Sequence, residues 1–109
     1  MITVNLYYTG VNGAARAFAA EMERKGVADK IRAEDGNLRY DYFQPLDDPE
    51  TILLIDQWRD QAASDAHPAS PMMGELAALR DKYDLHMRAE RFVAEDDGLP
   101  ETDAQFIRR

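Results

Sequence analysis

The stretch 51-TILLIDQWRDQAASDAHPASPMM-73 decides the fold, because the longest apolar run of the chain, Ile52 to Ile55, passes here into a helical pattern. Thr51 to Trp58 is nearly continuously apolar and has the length of a strand, which predicts a central strand covered on both faces. Asp60 is predicted to cap a short helix through Ala66. His67 precedes a proline, and a residue in that position is pushed away from helical backbone, so the sequence predicts that this helix stops at His67.

A second helix is predicted to begin directly after that stop. Ser70 is a good N-cap residue, and Pro71 suits the first helical position because its fixed φ matches a helix and its missing N–H would be unpaired there. The apolar side of this predicted helix contains Met72, Met73, Leu76, Leu79 and Tyr83.

The segments on either side complete the order of elements. Ile2 to Thr9 alternates with period two and predicts the first strand, and Gly10 to Gly13 supplies its turn. Residues 14–34 follow helical spacing, with Gly26 predicted to break them into two pieces. Residues 38–43 and 85–93 alternate again. The order β-α-β-β-α-β predicts an α+β, ferredoxin-like domain over residues 1–93, with helices on one face of a four-stranded antiparallel sheet and a tail over 94–109.

Composition and charge exclude several classes of function. The 109 residues, 45% hydrophobic and 31% charged, predict one globular domain. The net charge of -8 repels phosphate and argues against a nucleic-acid or anionic-membrane surface. No cysteine is present, which excludes disulfides and thiolate chemistry. No apolar run could span a bilayer and no signal-peptide pattern appears, so a cytoplasmic protein is expected.

Motifs for cofactor chemistry are missing. Residues 10–13 form neither a P-loop nor a dinucleotide fingerprint. The two histidines, His67 and His86, lie 19 residues apart without a second imidazole at helical spacing, which argues against a metal site. Neither Ser64 nor Ser70 lies in a nucleophile-elbow pattern.

Three ordered motifs resemble one protein family. Asp56-Gln57-Trp58 is similar to the (Glu/Asp)-x-Trp end of an apolar strand in antibiotic biosynthesis monooxygenase domains, and the His67-x-x-Ser70 that follows is similar to that family's His-x-x-Ser. Residues 34–40 match its Glu-x-Gly-x-x-x-Tyr entry into the second strand. The resemblance covers about residues 2–93. It implies a dimeric α+β barrel with a pocket between sheet and helices, and it implies oxidation of quinols or polycyclic phenols by dioxygen without a cofactor.

Such an oxidation asks for a base, an apolar cavity and a hydrogen-bond donor, because a phenolate reacts with dioxygen far more readily than a phenol. His67 is the predicted catalytic base, since imidazole titrates near neutral pH. An aromatic small molecule is the expected substrate. The predicted substrate-binding residues are Asn5, Tyr40, Tyr42, Trp58, Met72 and Met73.

Simpler interpretations stand beside each of these roles. His67 could end a helix, where an imidazole interacts favourably with free carbonyls. Trp58 and the two methionines could be core, His86 a sheet-face residue and Asn5 a structural hydrogen bonder. The same pocket would serve a non-enzymatic binding or protective protein, or a cofactor-free isomerase. Haem-degrading relatives are a minor alternative, because Leu76, Ala77 and Ala78 stand where those relatives carry the iron-ligating histidine.

The uncovered face of the predicted sheet indicates how the protein assembles. Helices cover one face of a four-stranded open sheet, and the other face, with Tyr7, Arg39 and Phe43 or their alternates, needs a partner. A homodimer is therefore expected. The last fifteen residues carry five acids and two bases and offer Phe106 and Ile107 as apolar anchors that could cross to the second subunit.

Overall fold

Four antiparallel strands form one sheet in the order β2-β3-β1-β4 in the computed structural model, which describes residues 1–94 and 98–108. The strands are β1 (Ile2–Thr9), β2 (Asn37–Phe43), β3 (Thr51–Trp58) and β4 (His86–Val93). The helices are α1 (Ala14–Arg24), α2 (Val27–Arg32), α3 (Gln61–Ala66), α4 (Met73–Lys82) and α5 (Glu101–Ala104), with a 3-10 turn at His67–Ala69. This confirms the predicted α+β, ferredoxin-like order of elements.

The apolar stretch that begins at Thr51 is an interior strand, as predicted. β3 pairs with β1 over its whole length, from Ile2 opposite Trp58 to Thr9 opposite Thr51, and with β2 on its other side. Its even-numbered side chains, from Ile52 to Trp58, are buried beneath the helices. The odd-numbered side chains, from Leu53 to Gln57, are only partly exposed on the opposite face, which we call the open face. Within one chain the helices therefore cover one face and not both.

Helix α1 supplies the centre of the core. Phe18 and Met22 are fully buried, and the Phe18 ring lies 5.0 Å from that of Tyr8 on β1. Glu21, on the same helix, is 1% exposed and accepts hydrogen bonds from Lys82 (2.8 Å) and Tyr83 at the end of α4. These contacts tie the two helices together, and Lys25, Lys82 and Tyr83 lower the pKa of the Glu21 carboxyl to about 2.

The break predicted at Gly26 is present. Gly26 adopts a φ of 75°, in the left-handed region that glycine enters without strain, and it separates α1 from α2. Strands two and four begin at Asn37 and His86, within one residue of the predicted starts.

The predictions for residues 67–72 are partly wrong. α3 ends at Ala66, as expected, but His67 keeps helical backbone (φ -56°, ψ -47°) despite the following proline. The 3-10 turn holds it there, because Ser70 N–H donates to the His67 carbonyl at 3.0 Å. Ser70 makes no side-chain cap, since its hydroxyl donates to Glu34, and α4 begins only at Met73.

β4 ends at Val93. Ala94 N–H donates to the Met1 carbonyl at 3.0 Å, and the short helix α5 follows with Leu99, Phe106 and Ile107 exposed around it. Three of the acids counted in the tail, Glu95, Asp96 and Asp97, lie outside the described residues, as does Arg109. No helix among residues 1–94 and 98–108 is long and apolar enough to cross a membrane.

Candidate active site

A carboxylate from the end of α2 joins the two polar residues of the 67–70 segment. Glu34 Oε2 lies 2.7 Å from His67 Nδ1, and Ser70 Oγ donates to Glu34 Oε1. The side chains of His67 and Glu34 are both 13% exposed. Because a carboxylate can only accept, Nδ1 must carry the proton, and the other ring nitrogen, Nε2, is left with its lone pair when the imidazole is neutral. This contact fixes the orientation of the imidazole and leaves Nε2 as the nitrogen that can accept a proton.

The indole of Trp58 supports the imidazole. Trp58 is the last residue of β3 and is 2% exposed, and its ring centroid lies 4.9 Å from that of His67 with the planes tilted by 38°. Aromatic contacts of this kind restrict the orientation of both rings. His67 is therefore held from two directions, by Glu34 through a hydrogen bond and by Trp58 through packing.

Asp56 lies two residues before Trp58 on the same face of β3. It is 4% exposed, and Asn37 Nδ2 donates to its Oδ1 at 3.2 Å. Burial raises the pKa of the Asp56 carboxyl to about 6, although the Trp58 indole N–H, the nearby His67 and Asn37 each lower it. Asp56 therefore titrates close to the physiological range, unlike an ordinary aspartate.

A cavity of about 350 Å³ opens beside this group. Glu34, Trp58 and Ser70 line it together with three alanines of α3, Ala62, Ala63 and Ala66, and with the exposed pair Asp35 and Arg59. Its volume is within the range of small-molecule sites. His67 does not line the cavity itself, but it contacts Glu34 and Trp58, which do.

The predicted aromatic residues of β2 share the sheet face with Asp56 and Trp58. Tyr40 pairs with Asp56 and Tyr42 with Leu54 in the register, and Tyr42 OH donates to Tyr40 OH at 3.2 Å. Burial raises the pKa of both phenols, so neither can act as an anionic base at neutral pH. Tyr40 is 1% exposed and belongs to the core, whereas Tyr42 lines a separate groove of about 660 Å³ beside α1.

The other predicted binding residues are not brought together with His67. Met72 lines a third cavity, of about 440 Å³, with Lys30 and Glu75, and Met73 packs against the core. Asn5 lies on the open face, opposite Ile55 and Glu90 in the register, where its Oδ1 is buried without a hydrogen-bond partner among the described residues. His86 is an exposed residue of that same face.

Sequence reasoning missed Glu34, Ser70, Asp56 and Asn37 as members of the site. The Glu34 contacts join residues 33 and 36 positions apart in the chain, and no periodicity reports such a contact. The signal that could have found Glu34 is its place in the Glu-x-Gly pattern already noted at residues 34–36. Among the described residues, no group of three or more His, Cys, Asp or Glu side chains could hold a metal ion.

Comparison with known proteins identifies the family of the chain. The family model described as antibiotic biosynthesis monooxygenase matches residues 1–79, and the chain belongs to that family. The Bacillus subtilis (strain 168) protein named "Putative monooxygenase YcnE" is 33% identical over 45 residues, which are 41% of this chain and 47% of YcnE. The matched stretch spans about half the length of that relative.

Solved structures share the fold over most of the chain. A Deinococcus radiodurans protein has a TM-score of 0.76 at 18% identity and covers 88% of this chain and 94% of its own. SnoaB of Streptomyces nogalater, described as a cofactor-independent oxygenase, has a TM-score of 0.72 at 22% identity, with coverages of 92% and 97%. PA3566 of Pseudomonas aeruginosa is 26% identical, with a TM-score of 0.69 and coverages of 86% and 93%.

Proposed function

We propose that this protein is a cofactor-independent monooxygenase that oxidises a quinol or another electron-rich phenolic or polycyclic small molecule with dioxygen. Membership of the antibiotic biosynthesis monooxygenase family supports the proposal, as does the shared fold with the oxygenase SnoaB. The observation that carries it in this chain is the 2.7 Å contact of Glu34 with His67, because that contact leaves one imidazole nitrogen free to take a proton.

The proposed chemistry begins with that proton. His67 Nε2 removes it from the phenol, and the phenolate passes one electron to dioxygen. The resulting superoxide and substrate radical join at a ring carbon that bears hydrogen, and the peroxide anion so formed takes the proton back from His67 Nε2. Loss of water from this hydroperoxide leaves a carbonyl, so one oxygen atom enters the product and the other leaves as water. The protein has to supply a base and a cavity that excludes bulk water.

The residues that line the cavity beside Glu34 and Trp58 favour an uncharged substrate over an anionic one. Glu34 and Asp35 line the cavity, and Arg59, the one cation among its lining residues, is paired with Asp35 at 3.3 Å and with Asp60 at 3.4 Å. Haem fits poorly in the position considered for its ligand, because Leu76 is a buried core residue and alanines 77 and 78 have no ligating atom.

A homodimer completes the proposal. The open face carries partly buried apolar side chains on its central strands, with Phe43 (39% exposed) and Phe92 (51% exposed) on the outer two. A second copy packed on this face would remove these side chains from water. It would also cover Asn5, and the tail could extend along it.

Oxygen uptake with a panel of naphthalene diols and three-ring phenols tests the activity. We expect uptake above the buffer rate, with one labelled oxygen atom from ¹⁸O₂ in the product and one in water. Hydrogen peroxide in place of labelled product would contradict a monooxygenase. Binding without uptake would favour a binding protein, and conversion under anaerobic conditions would favour an isomerase.

His67→Asn tests the base, because an asparagine amide can still donate to Glu34 but cannot take a proton. We expect turnover per folded molecule to fall roughly 10²–10⁴-fold, and the wild-type rate to fall in acid as the imidazole becomes protonated. His86→Asn, the same change on the open face, is the control and should leave turnover intact. A fully active His67→Asn would contradict the role of His67. A pH profile that follows the acidity of the phenol would reduce His67 to a positioning role.

A further inference from the structure

Asp56 is a buried carboxyl that the proposed chemistry leaves without a role. It lies on the helix-covered face of an interior strand, 4% exposed. No salt bridge to it is present among residues 1–94 and 98–108. A buried, unpaired carboxylate costs free energy, and an apolar residue could occupy the same position in a core. Its presence therefore calls for an explanation beyond packing.

Asp56 and His67 have Trp58 as a common neighbour. Asn37 Nδ2 donates to one carboxylate oxygen at 3.2 Å, and the Trp58 side chain lies on the same face of β3, two residues further along. The same indole packs against the His67 ring at 4.9 Å, and His67 in turn contacts Glu34. His67 therefore contacts one carboxylate, that of Glu34, directly, and a second, that of Asp56, lies two residues before Trp58 on the same strand face.

The other ionisable groups that act on Asp56 do not supply a positive charge. Tyr40 on β2 and Tyr8 on β1 are both buried phenols, and burial raises the pKa of each, so they stay neutral. Glu34, after α2, repels the charge of Asp56 and raises its pKa. His67 can become a cation, and its charge lowers the pKa of Asp56. Coulombic coupling is reciprocal, so ionised Asp56 must favour the imidazolium.

We propose that Asp56 is a positioning residue of the site, whose carboxylate stabilises the imidazolium that His67 becomes when it takes a proton. The proposal rests on the role of His67 as the base. It gives the buried carboxyl a function in the step where charge develops, because an imidazolium near two carboxylates is more stable than one beside Glu34 alone.

The two histidines allow a direct test without a substrate. The imidazole C2–H signals of His67 and His86 can be followed by NMR against pH, with His86 as the internal reference. In Asp56→Asn the loss of the negative charge should move the His67 titration midpoint to lower pH, by roughly half a unit or more. The His86 midpoint should stay in place. An unmoved His67 midpoint in a folded variant would overturn the proposal.

Two further measurements complete the test. Asp41→Asn is the matched control, since Asp41 lies on the open face opposite Ile55 and pairs with Arg39; it should move neither histidine by a comparable amount. If Asp56→Asn does not fold, the shape of the His67 titration curve in the wild-type protein provides the test. Coupling to Asp56 should broaden the His67 titration relative to that of His86, whereas two curves of equal width would overturn the proposal.

Turnover provides the functional readout. Where oxygen uptake is found, Asp56→Asn should lower kcat/KM about 3- to 30-fold and move the acid limb of the pH profile to lower pH. An unchanged acid limb would overturn the role in the proton step. If the NMR shift is found and no phenol is oxidised, the proposed function fails while the coupling of Asp56 to His67 stands, so the two failures can be told apart.

Discussion

At the scale of single residues, the contact with Glu34 distinguishes His67 from a histidine that only ends a helix. A helix-end histidine would interact with free carbonyls at the helix terminus. His67 instead directs Nδ1 to the Glu34 carboxylate at 2.7 Å and rests its ring on Trp58. The side chain is therefore held by partners from two other elements, which is the arrangement expected of an oriented base.

The raised pKa of Asp56 predicts how the stability of the variant Asp56→Asn differs from that of wild type. Burial raises the pKa of Asp56 from 3.8 to about 6, so its protonation stabilises the folded state below about pH 4, and that stabilisation is lost as the pH rises through 6. The shift corresponds to roughly 3 kcal/mol. The variant should therefore be more stable than wild type near neutral pH by roughly 1–3 kcal/mol.

Urea unfolding, followed by the fluorescence of the single tryptophan, measures this difference. The gain of Asp56→Asn over wild type should shrink as the pH is lowered and disappear near pH 4. Asp41→Asn, an exposed counterpart, should show no comparable trend. A difference between Asp56→Asn and wild type that is the same at every pH would contradict the raised pKa.

At the scale of elements, the sequence predicts strands and the long helix better than the site. Alternation and helical spacing report which side chains face the core, and they placed β1, β2, β3 and β4 within a residue of their observed ends. They fail at residues 67–72, where contacts with Glu34 outweigh the local preferences of Pro68 and Ser70. The same limit applies to the site, because the contacts of Glu34 and Asn37 join distant parts of the chain.

The turn at Gly36 links the elements that carry the site. Gly36 has a φ of 83°, its carbonyl accepts from Arg59 N–H at 2.7 Å, and an added Cβ would lie 2.5 Å from Ala63 Cβ on α3. Glu34 lies just before this turn, and α3 leads directly into His67. The close approach of the turn to α3 therefore requires a residue without a side chain.

Gly36→Ala should destabilise the protein by roughly 2–4 kcal/mol, since strained backbone adds to a clash that must move α3. Gly26→Ala has nearly the same φ, 75°, but meets nothing within 4 Å, and should cost only roughly 1 kcal/mol. The difference between the two variants in stability to thermal unfolding measures the steric contribution at Gly36. Equal losses would show that Gly36 is required only for its backbone angle.

At the scale of the whole molecule, the two faces of the sheet have different chemistry. One is closed by helices over a core that includes Phe18, Met22 and Trp58. The other leaves Leu53 and Ile55 partly exposed beside Tyr7, with Arg88 stacked over the Tyr7 ring at 4.0 Å. The alternation of β1, β2 and β4 was readable from the sequence, but β3 was predicted to be covered on both faces, and its alternation in burial appears only in the structure.

The proposed homodimer makes the open face sensitive to charge. Leu53 lies at its centre, between Tyr7 on β1 and Phe43 on β2 in the register. A carboxylate introduced there would be desolvated on association, whereas in a monomer it would remain partly hydrated. Leu53→Asp should therefore raise the dimer dissociation constant roughly 100-fold or more while leaving the monomer folded. Light scattering after size exclusion, with circular dichroism as the check of folding, measures both. Leu46→Asp makes the same change at a fully exposed loop residue and should remain dimeric. A wild-type monomer at micromolar concentration, or a Leu53→Asp variant as dimeric as Leu46→Asp, would show that this face is not where two copies meet.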